Sequence, residues 1–283
     1  MSLKNYPALK SLSQNFLKSP LLAQKLVDRL PLTTADCVVE LGAGQGALTF
    51  LLSQKAKKVL AVEIDAGHSL RLKERIQQAG QTNIEVLHQD ILKADWQEWF
   101  GILKEPFYIV GNLPYHISTP ILFKVIEHKR LLRAAYVMLQ REVADRLLGQ
   151  PGQKAYGVIT ILIGYYARVF TLMHLGPNAF FPRPKVASTF VGILIDSDRF
   201  PKIEEEDLFQ WVVRAAFQQR RKQLKNALVA DGRLDPKIIL KALSQNGIDP
   251  KNRGERLSIS QFVALSNSLA GLTDRTVPLP HEP

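Results

Sequence analysis

The sequence is poor in cysteine and lacks a long apolar run, and both absences narrow the class of protein. Its single cysteine, Cys37, excludes an intrachain disulfide, favours a reducing compartment and, just before an apolar run, is expected to be buried. The longest uncharged apolar segment, residues 155–167, is too short to span a bilayer. Residues 1–16 contain no continuous apolar stretch of the kind that a secretory signal needs. We therefore expect a cytoplasmic protein without a membrane segment.

Metal-ligand patterns and acidic charge are also scarce. The six histidines show no metal-ligand spacing, and with one cysteine they predict no metal site. Basic residues exceed acidic ones by 37 to 26, which gives a formal net charge of +11. The excess is concentrated in residues 214–256, where eleven Lys/Arg face four Asp/Glu. A polyanion is the expected partner, and nucleic acid is favoured because no basic amphipathic anchor helix for a membrane stands out.

Patterns of buried strands are plentiful. Continuous apolar runs alternate with segments of helical spacing and lie at residues 37–41, 58–64, 84–88, 107–111 and 134–139. Such runs, separated by helices, imply a parallel sheet covered on both faces. The sequence therefore predicts a doubly wound, Rossmann-like α/β fold whose ligands bind beyond the carboxyl ends of the strands.

A change of composition at residues 196–207 predicts a domain boundary. This stretch is polar, charged and contains proline, as linkers do. Basic segments of helical pattern follow it. We expect an α/β domain at residues 1–195, a small basic α-helical domain at 205–270 and a disordered tail at 271–283, where prolines are frequent and little can be buried.

The stretch "VVELGAGQGALTF" joins a predicted strand to a predicted helix through a glycine-rich turn. Gly42, Gly44 and Gly46 allow a tight turn and a close approach of the backbone to a ligand. Their spacing is G-x-G-x-G, which differs from the G-x-G-x-x-G of dinucleotide-binding folds. Glu40 before the turn would repel a phosphate and suits a ligand that carries an ammonium group.

Acidic residues follow the next two predicted strands. Glu63, nineteen residues after Gly44, is placed to accept hydrogen bonds from ribose hydroxyls. Asp90 is placed to accept from the amine of a cofactor adenine. Each acid alone would be read as a helix N-cap or a surface carboxylate. Together with the glycine spacing they favour S-adenosylmethionine, and a nicotinamide oxidoreductase is a distant alternative.

The stretch "IVGNLPYHIS" ends the fourth predicted strand in Asn112, Leu113, Pro114 and Tyr115. An adenine N6 amine has two N–H donors, and the Asn112 amide oxygen and the Leu113 carbonyl, restricted by the following proline, supply two acceptors. Tyr115 offers a ring for stacking, worth about 1–3 kcal/mol per base. Catalysis would rest on positioning and electrostatic support, because methylation itself makes the nitrogen acidic. His116 is expected to pack or face solvent.

The segments "SQNFL" (13–17), "VELGAGQGALT" (39–49), "GNLPYHISTPIL" and "FFPRPKVAST" resemble those of the ribosomal RNA adenine N6-dimethyltransferases. Further segments at 138–157, 217–228 and 252–265 are similar to those of the bacterial small-subunit (16S) branch of this family. Loss of the enzyme of this branch confers kasugamycin resistance. The resemblance covers nearly the whole chain. It implies an S-adenosylmethionine-dependent methyltransferase domain followed by a small helical domain that binds rRNA.

The resemblance also implies roles for individual residues. Those that would contact or close over the cofactor are Asn15, Leu17, Gly42, Gly44, Glu63, Asp90 and Asn112. Asn112 and Leu113 would receive the target amine, and Tyr115 and Phe180 would sandwich the target adenine. Because Phe181 follows directly, the sequence leaves open which phenylalanine stacks. The residues that would bind RNA are Arg220, Arg221, Lys222 and Lys225.

The implied reaction transfers two methyl groups to each of two adjacent adenosines near the 3′ end of 16S rRNA in a maturing small subunit. The target base would have to swing out of the folded RNA to reach a closed pocket. The protein is expected to be a monomer. Two alternatives remain: methylation of large-subunit rRNA, as in erythromycin resistance, and a ribosome-assembly or nucleic-acid-binding factor whose methylation is incidental.

Overall fold

The computed structural model describes residues 15–196 and 198–273. The chain divides into two compact units, the first made of Met1–Ala144 with Arg168–Ile195 and the second of Asp145–Ala167 with Asp196–Pro283. Most of the expected disordered tail lies outside the described residues, as do the first two residues of the "SQNFL" segment. Among the described residues, every helix is too short or too polar to cross a lipid bilayer.

Strands and helices alternate along most of the first unit, and helices dominate the second. The strands are β1 (Phe16–Leu17), β2 (Cys37–Leu41), β3 (Lys58–Glu63), β4 (Ile84–His88), β5 (Phe107–Asn112), β6 (Leu132–Gln140), β7 (Ala167–Leu175), β8 (Phe180–Phe181) and β9 (Ser188–Ile195). The helices are α1 (Pro20–Asp28), α2 (Thr49–Lys55), α3 (Ala66–Gln78), α4 (Trp96–Leu103), α5 (Ser118–Glu127), α6 (Arg141–Leu147), α7 (Val158–Tyr166), α8 (Glu206–Gln218), α9 (Leu224–Val229), α10 (Pro236–Gln245) and α11 (Ile259–Leu272).

The main sheet has the strand order β4-β3-β2-β5-β6-β9-β7. The pairs among β4, β3, β2, β5 and β6 are parallel, and β9 runs antiparallel to β6. The five predicted strands are confirmed, and the α/β fold with them. β7 and β9 were not predicted from the sequence. In β7 only the first and last residues are buried, and Arg168, Thr171 and His174 interrupt its apolar residues.

The strand order places a ligand-binding crevice in the middle of the sheet. From β2 the chain first extends the sheet through β3 and β4, and then returns to add β5 on the other side of β2. Such a reversal leaves a crevice at the carboxyl ends of the two central strands, because the connections that follow them diverge. β2 is buried at all its positions, and Leu41 pairs with Gly111 of β5. The glycine-rich turn and Asn112 therefore meet at this crevice.

The second unit is mainly helical and includes a segment that was predicted to lie in the first domain. No break is predicted near residue 145, yet residues 145–167 group with the C-terminal helices. α7 is apolar around most of its circumference and contacts α8 and α11. The Tyr156 hydroxyl also donates to the Leu257 carbonyl at 2.7 Å. These contacts bury the apolar surface of α7 against the other helices of the second unit.

Candidate active site

A cavity of about 290 Å³ opens at the carboxyl edge of the sheet in the first unit. Nearly all the residues predicted to contact a cofactor line it, namely Asn15, Gly42, Gly44, Glu63, Asp90 and Asn112. Residues that sequence reasoning missed also line it, namely Phe16, Ile64, Ile91, Leu92, Pro114, His116 and Ile117. Most of the missed residues adjoin a predicted one, so their position after a strand was the signal that could have found them.

Glu63, at the end of β3, anchors the glycine-rich turn. Its side chain is 3% exposed, and Oε2 accepts from the Gly44 N–H at 2.7 Å. Oε1 accepts from the Asp65 N–H at 2.9 Å, where α3 begins. A carboxylate has about four acceptor sites, so each oxygen keeps a lone pair for a further donor. The carboxylate thus fixes the turn and still presents acceptor capacity to the cavity.

The glycine positions in the turn are required by both backbone and space. Gly44 has φ +53° and Gly46 has φ +79°, conformations that side chains disfavour. A Cβ on Gly44 would lie 2.9 Å from the Phe16 ring, and one on Gly46 would lie 2.6 Å from Leu72 Cδ1. Phe16 and Leu72 therefore occupy the space that the missing side chains leave.

Asp90 follows β4 in a loop that hydrogen-bonds to itself. Its Oδ1 accepts from the Leu92 N–H at 2.9 Å, and its carbonyl accepts from the Lys93 and Ala94 N–H groups at 3.0 and 2.8 Å. Within the described chain, no hydrogen-bond partner is found for Oδ2. Since Ile91 and Leu92 also line the cavity, the arrangement combines one carboxylate acceptor with apolar walls, which suits a heterocycle bearing an amine.

Asn112, the last residue of β5, is oriented by a backbone contact. Its Nδ2 donates to the Asn15 carbonyl at 2.6 Å, which leaves the side-chain oxygen as an acceptor. The turn that follows uses the Pro114 carbonyl, which accepts from the Ile117 N–H at 3.1 Å and the Ser118 hydroxyl at 3.4 Å. The turn therefore leaves the Leu113 carbonyl unused. Leu113 itself is a buried side chain beside the cavity, not a lining residue.

Tyr115 begins a short 3-10 turn next to lining residues Pro114 and His116. Its hydroxyl hydrogen-bonds to the Ser188 hydroxyl at 2.7 Å, and the side chain is half-buried. Burial raises the pKa of the Tyr115 phenol, and the Ser188 hydrogen bond opposes this shift. The phenol stays neutral at physiological pH and its ring is held in one place. His116 is exposed at the rim of the cavity, in agreement with a solvent-facing role.

Two predicted site residues, Leu17 and Phe180, face away from the cavity. β1 and β8 pair antiparallel, with Phe16 opposite Phe181 and Leu17 opposite Phe180. Directly opposed residues point to the same side of such a pair, and neighbours along a strand alternate. Leu17 and Phe180 pack into the apolar core, where Phe180 has no exposed surface. Phe16 lines the cavity, and Phe181 is 48% exposed. The expectation for Leu17 and Phe180 is therefore corrected.

Glu40 does not line the cavity, contrary to expectation. Its carboxyl group is buried within β2 and accepts a hydrogen bond from the Thr49 hydroxyl at 2.5 Å. Burial raises the pKa of Glu40 to about 8, with a further increase from the nearby Glu63. Glu40 is thus a core acid next to the glycine-rich turn and has no surface with which to meet an ammonium group.

The predicted RNA-binding residues in the second unit fall into two kinds. The Arg220 guanidinium donates to the carbonyls of Lys154 and Tyr156 at 3.0 and 3.1 Å and pairs with Glu255 at 3.3 Å. Arg221 and Lys222 are exposed, and Lys225 is partly buried. Arg220 therefore has a structural role that the charge pattern did not reveal.

A second basic segment lies beside these residues. The Leu224 N–H donates to the Asn252 carbonyl at 2.6 Å, and the Lys225 N–H donates to the Pro250 carbonyl at 3.3 Å. These contacts bring the exposed Lys251 and Arg253 next to the start of α9. We call Arg221, Lys222, Lys225, Lys251 and Arg253 the basic surface. Across residues 15–196 and 198–273 no group of His, Cys, Asp and Glu could hold a metal ion.

The chain is similar to known proteins over most of its length. The chain is similar to proteins named ribosomal RNA small subunit methyltransferase A from Anoxybacillus flavithermus (strain DSM 21510 / WK1), at 41% identity, and Bacillus mycoides (strain KBAB4), at 42%. Each alignment covers 92% of this chain and 90% of the relative.

Two solved structures share the fold. A dimethyladenosine transferase from Plasmodium falciparum is 26% identical, with a TM-score of 0.76, and the match covers 88% of this chain and 95% of that one. The 23S rRNA methyltransferase ErmE is 23% identical, with a TM-score of 0.69, over 90% of this chain and 100% of that one. A model of ribosomal RNA adenine dimethylase matches residues 7–271. The chain therefore belongs to the ribosomal RNA adenine dimethylase family.

Proposed function

We propose that this protein is an S-adenosylmethionine-dependent dimethyltransferase that modifies two adjacent adenosines near the 3′ end of 16S rRNA in immature small subunits. The observation that carries the proposal is the placement of Asn112 in one cavity with Glu63 and Asp90. Two acids suited to an adenosine moiety and one amide suited to a target amine thus share a single space. We further propose that the protein acts as a cytoplasmic monomer.

The chemistry of the cavity fits this cofactor better than a dinucleotide. Glu63 and Asp90 are acidic, and no Lys or Arg is found among the described residues that line the cavity. A pyrophosphate there would meet negative charge without a compensating cation. Glu63 would hold the ribose hydroxyls, and Asp90 would accept from the adenine amine between Ile91 and Leu92. When bound, S-adenosylmethionine supplies an electrophilic methyl carbon.

The target adenine would be held by its exocyclic amine. The contact of Asn112 with Asn15 is made by the side-chain nitrogen, so the side-chain oxygen remains an acceptor. The Leu113 carbonyl is not used by the following turn. Two acceptors hold both N–H donors and favour the pyramidal nitrogen that the transfer needs. Tyr115 and Phe181 are the rings available for stacking, since Phe180 is in the core. The proton leaves after methylation, when the nitrogen is acidic.

The second unit would bind RNA through the basic surface defined above. Its members are exposed or partly buried and come from two segments of chain that hydrogen bonds hold together. Contacts with phosphates add affinity without reading sequence. The relatives named small subunit methyltransferase A support the small subunit over the large one as substrate. We assign RNA binding to this unit and methyl transfer to the first.

The proposal is tested by incubating the protein with methyl-labelled S-adenosylmethionine and four substrates: unmethylated small subunits, unmethylated large subunits, naked 16S rRNA and naked 23S rRNA. We expect dimethyladenosine at two adjacent positions near the 3′ end of 16S rRNA, mapped by nuclease digestion and mass spectrometry. Label confined to 23S rRNA would show that large-subunit rRNA is the substrate instead. Binding of small subunits without any transfer would favour an assembly factor instead.

A further inference from the structure

Two stacked tryptophans of α4 lie behind the loop that carries Asp90. Trp96 and Trp99 are fully buried, with ring centroids 5.1 Å apart and planes inclined by 24°. The Trp99 Nε1–H donates to the Gln89 side-chain oxygen at 2.9 Å, and the Trp96 Nε1–H makes a long contact of 3.5 Å with the Ile91 carbonyl. Both indole N–H groups are thus directed at the residues on either side of Asp90.

The same loop is held from two further directions. The Gln89 N–H donates to the Glu63 carbonyl at 3.1 Å, which joins the loop to the end of β3. From α5, the Lys124 ammonium donates to the Ala94 carbonyl at 2.9 Å and lies 5.9 Å from the centre of the Trp96 ring. Asp90, Ile91 and Leu92 of this loop line the cavity.

We propose that Trp99 is a positioning residue for the cofactor, because it holds the Gln89 side chain and thereby fixes Asp90 where its free oxygen meets the adenine amine. The inference rests on the proposed function, since it needs a cofactor adenine in the cavity. A phenylalanine at position 99 would still fill the core and stack on Trp96. It would leave the partly buried Gln89 oxygen without its donor, so the side chain and the loop would gain alternative conformations.

The consequence is selective loss of one interaction. Asp90 recognises the amine of adenine, whereas the apolar walls contact any purine. If Trp99 acts through Asp90, then Trp99→Phe weakens binding of an adenine-containing ligand more than binding of the matching ligand without the amine. A tryptophan that served only to fill the core would affect both ligands alike.

The test compares two probes, S-adenosylhomocysteine and its analogue with unsubstituted purine in place of adenine, by isothermal titration with the full-length protein. We expect the wild-type protein to prefer the amine-bearing probe about tenfold, equivalent to about 1.4 kcal/mol. In Trp99→Phe and in Gln89→Met we expect the preference to fall to about twofold, and in the double variant to fall no further. Trp211→Phe, a tryptophan of the second unit, serves as the matched control and should keep the wild-type preference.

The outcomes separate the inference from the proposed function. A tenfold preference retained in Trp99→Phe, whether or not both affinities fall, overturns the positioning role alone. Additive losses in the double variant would also overturn it, because Trp99 and Gln89 would then act independently. Absence of binding by the wild-type protein overturns the cofactor assignment, and the positioning role with it.

Discussion

The cavity of the first unit and the basic surface of the second use charge in opposite ways. In the cavity, Glu63 and Asp90 each accept hydrogen bonds from backbone N–H groups, so their positions are fixed before a ligand arrives. On the basic surface, Arg221 and Lys222 are exposed to solvent. Fixed groups give geometric selectivity, whereas solvated charges give salt-sensitive attraction. We therefore expect the chemistry to depend on the cavity and the affinity for RNA to depend on the basic surface.

The same contrast exists between two adjacent arginines. The Arg220 guanidinium donates hydrogen bonds to Lys154, Tyr156 and Glu255. Its position is therefore fixed by internal contacts, as are those of the acidic residues of the cavity. Arg221 is exposed. Position in the sequence does not separate them, but the number of internal partners does. A charge with several internal partners supports the fold, and we expect its exposed neighbour to contact RNA.

The largest effect is expected from Asn112→Ala, which removes the proposed acceptor for the target amine. We expect transfer at saturating substrates to fall by about 100- to 1,000-fold, as for loss of one polar group that stabilises a transition state. Asn83→Ala is the matched control, because its side chain also donates to backbone carbonyls, at 2.9 and 3.2 Å, but lies outside the cavity. It should lower stability and leave the rate per folded molecule unchanged. An unchanged rate in Asn112→Ala would remove this residue from the mechanism.

A smaller effect, on stability, is expected from Gly46→Ala in the glycine-rich turn. The substitution combines a positive φ with a clash against Leu72, and we expect a loss of about 2–3 kcal/mol in the free energy of unfolding. Gly80→Ala also has a positive φ but no atom within 4 Å of the added Cβ, so about 1 kcal/mol is expected. Urea unfolding of both variants measures the difference. Equal losses would mean that Leu72 moves aside without cost and that the turn is less rigid than proposed.

The basic surface is tested by the double variant Arg221→Ala/Lys222→Ala. We expect about tenfold weaker binding to small-subunit RNA and a salt dependence with a slope reduced by about 2, because two phosphate contacts are lost. Affinity for S-adenosylhomocysteine should not change. The control, Lys25→Ala/Lys73→Ala, removes the same charge from exposed helix positions of the first unit. If the control weakens RNA binding equally, net charge and not this surface determines affinity.

A further effect, visible only as a dependence of stability on pH, concerns Glu40. Because burial raises its pKa from 4.5 to about 8, the folded protein binds a proton more tightly than the unfolded chain. The free energy of unfolding should therefore fall as pH rises between these values, by at most about 1.4 kcal/mol per pH unit from this group. Glu40→Gln has no proton to lose, so its stability relative to wild type should increase from pH 5 to pH 8. Parallel pH profiles in urea unfolding would contradict the buried neutral acid.

The sequence predicted the central strands because they are continuous apolar runs that need no long-range information. It also predicted which end of the sheet carries the site, since Gly42, Asp90 and Asn112 each end or follow a strand. It failed for Leu17 and Phe180, because the side toward which each points depends on the pairing of β1 with β8. Two strands of two residues leave no pattern from which their register can be read. The grouping of residues 145–167 with the second unit was missed for a similar reason, since the helices that this segment contacts are distant in sequence.

By itself the sequence determined the α/β class, the glycine-rich turn and the set of polar groups offered to a ligand, because strand patterns and turn chemistry are local properties. Tertiary structure decided which of those groups share a cavity, that Glu40 is a core acid and that Arg220 is a structural one. It also placed Trp99 behind the Asp90 loop, next to Gln89. Such roles depend on burial and on contacts between distant residues, and neither quantity exists until the chain has folded.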